Sequence, residues 1–464
     1  MNNTLVYDVV IVGGGSAGFG AAYAASTSGA KTLLIERLPG IGGMSVYGGV
    51  NCWEPGYGGR GVHLRLAEEL ISSGQGCVIY DDGRPVGRER PFVWCVPTNR
   101  AYSETFKVPD AEHVHDVGHF MFEPAALSSM MLRYLNEAGC AVMLNTAFTG
   151  AECGERTVNG VIVRDSAGNE YSVKGKIYID CTDSADVAGR CGCSRTIGED
   201  SESDFHEYSA PEKASEENIN GVSLIFRCSP DDTASVPSDE CGDPEFWQLL
   251  ENRALYSVIN QYPNGDINVN MLPTMNGREY TKAGNNADRI MKDRVSAYFN
   301  WLRSTFGLRY RLKYIFPVHG VRESYRIRGR YVLNENDLRA GMYEQKHKES
   351  LIAFADHMID VHGTSDMKHR LTPHLQIPYG IPYECLLPCE YDNLLVASHG
   401  SSFTHIAASS ARLSRTMIAI GEAAGYAASI SAELGIMPAD IDISLLCRKC
   451  RTDECIEEIA GLWK

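Results

Sequence analysis

The residue types and spacings that could do chemistry in this chain fall into three groups. Gly13, Gly15 and Gly18 fit G-x-G-x-x-G, and Glu36 follows about 20 residues on. In that arrangement the first glycine permits a tight turn and Gly15 lets backbone approach a pyrophosphate. Gly18 allows close helix packing, and the acid accepts hydrogen bonds from ribose hydroxyls. Arg322 and Arg326 form the second group, because a planar guanidinium can clamp a carboxylate with two parallel charged hydrogen bonds. Their other reading is a salt-bridge network inside an acidic protein. His399 and His405 form the third, since histidine is the default group for proton transfer near neutral pH; either can equally be a satisfied structural histidine.

The elements around the glycines give the motif its meaning. Residues 6–12 form a β-branched apolar run suited to a buried parallel strand, and residues 19–28 are Ala-rich and helix-compatible. Residues 31–35 form a second strand that ends at Glu36. Strand, glycines, helix, strand and acid in register predict a βαβ dinucleotide site, with the pyrophosphate on the free N–H groups of the helix start.

The segment after the acid separates the dinucleotides. Residues 40–53, with Gly43-Met44-Ser45 and Gly48-Gly49-Val50, make a glycine-rich loop where a plain NAD domain moves into its next helix. This loop, the strand pattern of residues 171–181 running into Thr182-Asp183-Ser184-Ala185-Asp186, and the segment from 377 through Ala397-Ser398-His399 to a small-residue helix at 407–428 carry a resemblance. The chain resembles the FAD-dependent oxidoreductases of the glutathione-reductase type, in the branch related to fumarate reductase flavoproteins and heterodisulfide reductase A subunits. An arginine-rich segment at 320–333 is also similar to a strand of that branch.

The resemblance covers most of residues 1–195 and 315–435. It implies an α/β fold: an FAD-binding Rossmann-like domain, parallel sheet with helices plus a small antiparallel sheet, carrying an inserted α+β substrate or cap domain. It implies non-covalent FAD held by Gly13, Gly15, Ser16, Gly18, Glu36, Arg37, Gly43, Met44, Ser45, Gly48, Gly49, Val50, Ala147, Asp183 and Ala407. The last helix would aim its N-terminus at the flavin and stabilise negative charge on the reduced ring. His399, where the family often has arginine, is a flavin or substrate contact or a polar helix cap. His405 and His399 would lie nearest the ring, and with Arg322 and Arg326 they form the catalytic set.

Organisation follows from composition. The expected divisions are 1–74, 120–198 and 371–464 for the FAD domain with its C-terminal helix, 75–119 for a cap rich in Tyr, Trp, Pro and His, and 199–370 for a substrate domain. No second strand-G-x-G-x-x-G-helix occurs, so electrons are expected to come from the substrate or from an external donor or acceptor, and no cysteine set matches iron–sulfur spacing. Cys447, Cys450 and Cys455 supply three sulfurs where a closed zinc site takes four ligands, so no metal is expected and the 15 cysteines read as free thiols.

With 464 residues and a net charge of −16 the chain is large enough for two or three lobes and is a poor partner for nucleic acid or anionic lipid. No apolar run reaches the ~20 residues of a membrane span, and no signal is apparent, so a cytoplasmic location is expected. The leading expectation is hydride transfer between flavin N5 and a small polar organic substrate, either a carboxylate or a hydroxylated, sugar-like compound. An electron-transfer subunit working with a partner protein and a flavin monooxygenase or halogenase are the alternatives. Substrate, direction and assembly, including a homo-oligomer, stay open.

Overall fold

The computed structural model describes residues 3–54, 60–79, 93–96, 100–101, 119–233, 243–251, 256–262, 264–366, 370–371, 375 and 377–462. Its centre is a five-stranded parallel sheet in the order Leu394–Val396, Ile177–Asp180, Val9–Val12, Thr32–Ile35 and Ala141–Met143. Val9 to Ile11 are fully buried, as expected for a strand covered on both faces. One face is covered by helix Ser16–Thr27, which packs against the 21-residue helix Ser414–Leu434. Segments from 1–74, 120–198 and 371–464 all contribute strands to this sheet.

Two apolar runs each turn out to be two strands. Asn3–Val6 pairs in parallel with Glu170–Lys174 in a four-stranded sheet, whereas Val9–Val12 pairs with Ile177–Asp180 in the parallel sheet. Both runs cross between the sheets together, and the crossing is tied by Lys176 and Ile177, whose N–H groups both donate to the carbonyl of Asp8. Gly175, with a Cβ position only 2.8 Å from Cγ2 of Val10, lets the second run bend there.

The small-residue C-terminal stretch also divides. Helix His405–Ala411 ends before Leu413, whose extended backbone (ψ 148°) separates it from Ser414–Leu434. Close approach explains the small residues: a Cβ on Gly421 would lie 2.0 Å from the carbonyl oxygen of Ala17. The arginine-rich segment 320–333 is mostly irregular: Arg326–Ile327 pairs with Arg195–Thr196, and Gly320, Gly329 and Leu333 make isolated bridges. Its arginines are held by carboxylates and carbonyls instead of a ladder.

A second core lies under a six-stranded antiparallel sheet in the order Tyr310–Ile315, Phe226–Pro230, Ile267–Leu272, Tyr256–Gln261, Val93–Val96, Arg100–Ala101, backed by helix Ala287–Phe306. Most of the 75–119 cap lies outside the described residues. Among its described pieces, Val93–Val96 adds to this sheet, and Gly76–Ile79 joins His119–Phe122 and Cys52–Trp53 in a three-stranded sheet. Among the described residues no helix is long and apolar enough to cross a membrane.

Candidate functional site

A cavity of about 850 Å³ opens at the carboxyl ends of three parallel strands, where Val12, Ile35 and Cys181 reach its wall. This is where α/β sheets bind ligands. Helix Ser16–Thr27 begins there with no side-chain cap on Gly15 and no acid in its first turn, so its first N–H groups are free for an anion. Gly13 has φ +102°, which the turn requires, and a Cβ on Gly15 would meet no atom within 4 Å, so backbone alone bounds the cavity here. Gly18 does not line it: a Cβ there would lie 1.8 Å from the Gly13 carbonyl oxygen. Its role is packing.

Glu36 is buried at the mouth of its strand. Its Oε2 accepts from Gly14 N at 2.5 Å and its Oε1 from Leu38 N at 2.8 Å. Each oxygen keeps a lone pair for a ribose hydroxyl. Arg37, Ser16, Ala147 and Asp183 line the same cavity, with Thr146 and Phe148 beside them. Asp180, buried and pushed up to about 6 by that burial, accepts from Thr182 N, Thr182 Oγ1 and Ala188 N, and so shapes the 181–186 turn that forms the floor.

Gly43, Met44, Gly49 and Val50 line the next stretch of the cavity. Ser45 and Gly48 stand behind them. Ser45 is fully buried, and its Oγ accepts from Trp53 Nε1 at 2.9 Å and lies 3.2 Å from Ser414 Oγ. A Cβ on Gly48 would lie 2.1 Å from Cε of Met44. The loop is therefore tethered to the start of helix Ser414–Leu434, whose Leu413 and Ser414 reach the cavity. This helix has no side-chain cap and no acid in its first turn, so the helix end expected near a flavin is this one. Ala407 is fully buried in the preceding short helix and does not line the cavity.

The far wall carries Arg322, Arg412 and four histidines, His319, His357, His362 and His399. Arg322 donates from Nη1 to the Gly221 carbonyl at 2.7 Å and from Nη2 to Ser223 Oγ at 2.9 Å, and forms no ion pair among the described residues. Burial, then the charge of Arg412, lowers it to about 9. Arg412 donates from Nη2 to Asp360 Oδ2 at 2.7 Å, while its buried Nη1 has no partner among the described residues. His362 Nε2 is also 2.7 Å from Asp360 Oδ2. His399 sets Nε2 3.2 Å from the Arg412 carbonyl oxygen and Nδ1 3.3 Å from Asp183 Oδ1.

His405 and Arg326 do not reach the cavity. Arg326 is fully buried, paired with Glu323 and Asp200 and donating to the carbonyls of Gly198 and Phe403. His405 Nδ1 lies 2.7 Å from Glu323 Oε2. Glu323 also accepts from Asn220, whose Oδ1 receives the N–H of His362. The pair thus stands one layer behind the wall, and the expectation that it touches substrate is corrected: an arginine and a histidine followed their carboxylate inward.

The sequence alone does not single out Arg412, Tyr280, His357, His362 and Ser414, which arrive from separate helices and loops with no motif of their own. One signal was present for a further group. Residues 267–271 read Ile-Asn-Val-Asn-Met, a strand with amides on alternate positions. Asn268 and Asn270 both line the cavity. Among the described residues no cluster of three or more His, Cys, Asp or Glu side chains is arranged to hold a metal, and Cys447 instead points its Sγ to the Leu351 carbonyl, 3.6 Å away.

The free helix N–H groups, the open backbone at Gly15 and the buried acceptor Glu36 fit the pyrophosphate and ribose of FAD, and the Gly43–Val50 loop offers backbone to its ring. Comparison with known proteins agrees. A model of the FAD dependent oxidoreductase family matches residues 8–449. Fumarate reductase (cytochrome) of Shewanella frigidimarina is 56% identical over 46 residues, 10% of this chain and 8% of that protein. The chain therefore spans a small part of that relative's length. In structure the chain is similar to aklavinone-11 hydroxylase in its complex with FAD and aklavinone, with TM-score 0.50, 12% identity, 93% of this chain and 64% of that one. It is also similar to a geranylgeranyl bacteriochlorophyll reductase-like protein of Thermoplasma acidophilum, with TM-score 0.44, 14% identity, 99% of this chain and 87% of that one. With the family model spanning nearly its whole length, this chain belongs to the FAD-dependent oxidoreductases, and FAD is its cofactor.

Proposed function

We propose that this oxidoreductase exchanges a hydride with a small organic anion bound against Arg322 and Arg412. The observation that carries the reading is Arg322 itself. A half-buried guanidinium in a cavity wall, without an ion pair among the described residues and beside a second guanidinium, is costly unless an anion completes it. A substrate carboxylate is the matching shape, and the unpartnered Nη1 of Arg412 offers a further donor.

Bound non-covalently, FAD supplies hydride acceptance or donation at N5. The chain's residues then have to orient the substrate and move a proton. Were a substrate alcohol to give up its C–H hydride and become a carbonyl, its hydroxyl proton would have to be taken by the chain. Tyr280, on the cavity wall, has its Oη 3.0 Å from His319 Nδ1, and His319 Nε2 is 3.2 Å from Asp288 Oδ1 at the surface. Asp288 favours the Nε2–H tautomer, so Nδ1 accepts from Tyr280. A proton reaching Tyr280 Oη would displace the tyrosine proton to His319 and on toward Asp288. Reduction runs the same chain backward, and an external electron acceptor or donor closes the cycle.

The test is anaerobic mixing of the yellow holoprotein with small hydroxy and keto acids, following the visible flavin band. Bleaching or a saturable spectral shift, lost in Arg322→Met and partly kept in Arg322→Lys, is expected. Binding unchanged in Arg322→Met would remove the anion site. Oxygen-dependent hydroxylation in place of anaerobic bleaching would favour a monooxygenase.

A further inference from the structure

The large antiparallel sheet turns one row of amides toward the cavity. Asn260 stands directly opposite Asn268, and Asn270 sits two residues on, opposite Val258, so all three occupy one face. All three line the cavity. Asn260 and Asn268 are buried, and the Oδ1 atoms of Asn260, Asn268 and Asn270 have no hydrogen-bond partner among the described residues. Asn268 spends its Nδ2 on the Gly49 carbonyl at 2.9 Å, which assigns its Oδ1 as the atom left without a partner among the described residues.

A buried carbonyl left unpaired carries its full desolvation cost, so three on one face call for a ligand that donates to them. Val or Thr would suit these strand positions better, and the alternation of the strand makes the amides a face instead of a scatter. Carboxylates and ring carbonyls cannot donate. Alcohol hydroxyls can, and each hydroxyl can also accept from a neighbouring amide N–H.

Resting on the carboxylate reading above, we propose that the substrate is a polyhydroxylated acid of the sugar-acid class. Its carboxylate meets Arg322 and Arg412, and its hydroxyls are read by Asn260, Asn268 and Asn270. Rejection of analogues that lack hydroxyls follows directly, because they leave the amide carbonyls buried and unpaired.

The experiment titrates the holoprotein with gluconate and with hexanoate, acids of equal carbon count, and reads the change in flavin absorbance. Gluconate should bind at least tenfold more tightly. In Asn260→Val and Asn270→Val that preference should fall at least tenfold, with hexanoate affinity unchanged or improved. Because the wild-type comparison stands alone, a variant that folds poorly does not decide the matter. Equal affinity for the two acids, or tighter hexanoate, overturns the hydroxyl-reading wall and leaves the carboxylate site standing. Binding of neither acid removes the carboxylate site, and the wall inference with it.

Discussion

Nδ1 of His405 lies 2.7 Å from Oε2 of Glu323, both sealed in the interior behind the cavity wall. Burial would raise Glu323, but His405 and Arg326 outweigh it and hold the carboxyl at about 2. Burial would lower His405, but Glu323 outweighs it and raises it. The signs set a window. The contribution from Glu323 is present above its ordinary value of 4.5 and is lost as pH falls toward about 2. The contribution from His405 is present below its ordinary 6.5 and is lost as pH rises through its higher folded value. Urea unfolding across pH should show maximal stability between those limits. Glu323→Ala should cost about 3–5 kcal/mol, because it leaves Arg326 and His405 buried with too few acceptors. A flat profile, equal in the variant, would remove the pair as a stabilising element.

Helix Ser16–Thr27 and helix Ser414–Leu434 touch through glycine, with the Cβ position of Gly421 2.0 Å from the Ala17 carbonyl oxygen. Gly421→Val should force them apart, costing about 3 kcal/mol or more. Both helix starts face the cavity, so the purified variant should also carry less flavin per chain. Gly461→Ala, where a Cβ meets nothing within 4 Å, is the matched control and should change neither.

Glu36 accepts from Gly14 N and Leu38 N, and in the proposed FAD site it would also meet the adenosine ribose. Replacing it by alanine removes a charged acceptor, and such bonds contribute about 1.5–3 kcal/mol each. Glu36→Ala should therefore weaken FAD by roughly 10- to 100-fold in a flavin-fluorescence titration. Affinity equal to wild type would mean that the ribose does not use this acid.

Tyr280 is raised above its ordinary value by burial and then by the charges of Asp183 and Asp288, so it stays protonated at neutral pH. Tyr280→Phe keeps the ring and removes the proton path. Steady-state kinetics with a turned-over substrate should show kcat down by about 10²- to 10⁴-fold with KM little changed. Asp288→Asn, which only loosens the histidine tautomer, should cost far less and alter the pH profile. A KM effect alone would make Tyr280 a binding group.

Local order determined much of this protein. The run from Val9 through Gly13, Gly15 and Gly18 to Glu36 contains its own strand, turn and helix start, so a dinucleotide site is legible because every part lies within one βαβ unit. The glycine loop at 43–50 is legible for the same reason. What tertiary structure decided is which charged residues face the cavity. Arg322 and Arg326 are one helical turn apart in spacing, yet one lines the wall and the other is buried on Glu323, because the segment is irregular and its carboxylate partners come from residues 200 and 323. His405 follows the same carboxylate inward, while Arg412 and Ser414 reach the cavity only because the helix breaks at Leu413. Asn260 meets Asn268 through strand register, a long-range pairing that neither strand encodes alone.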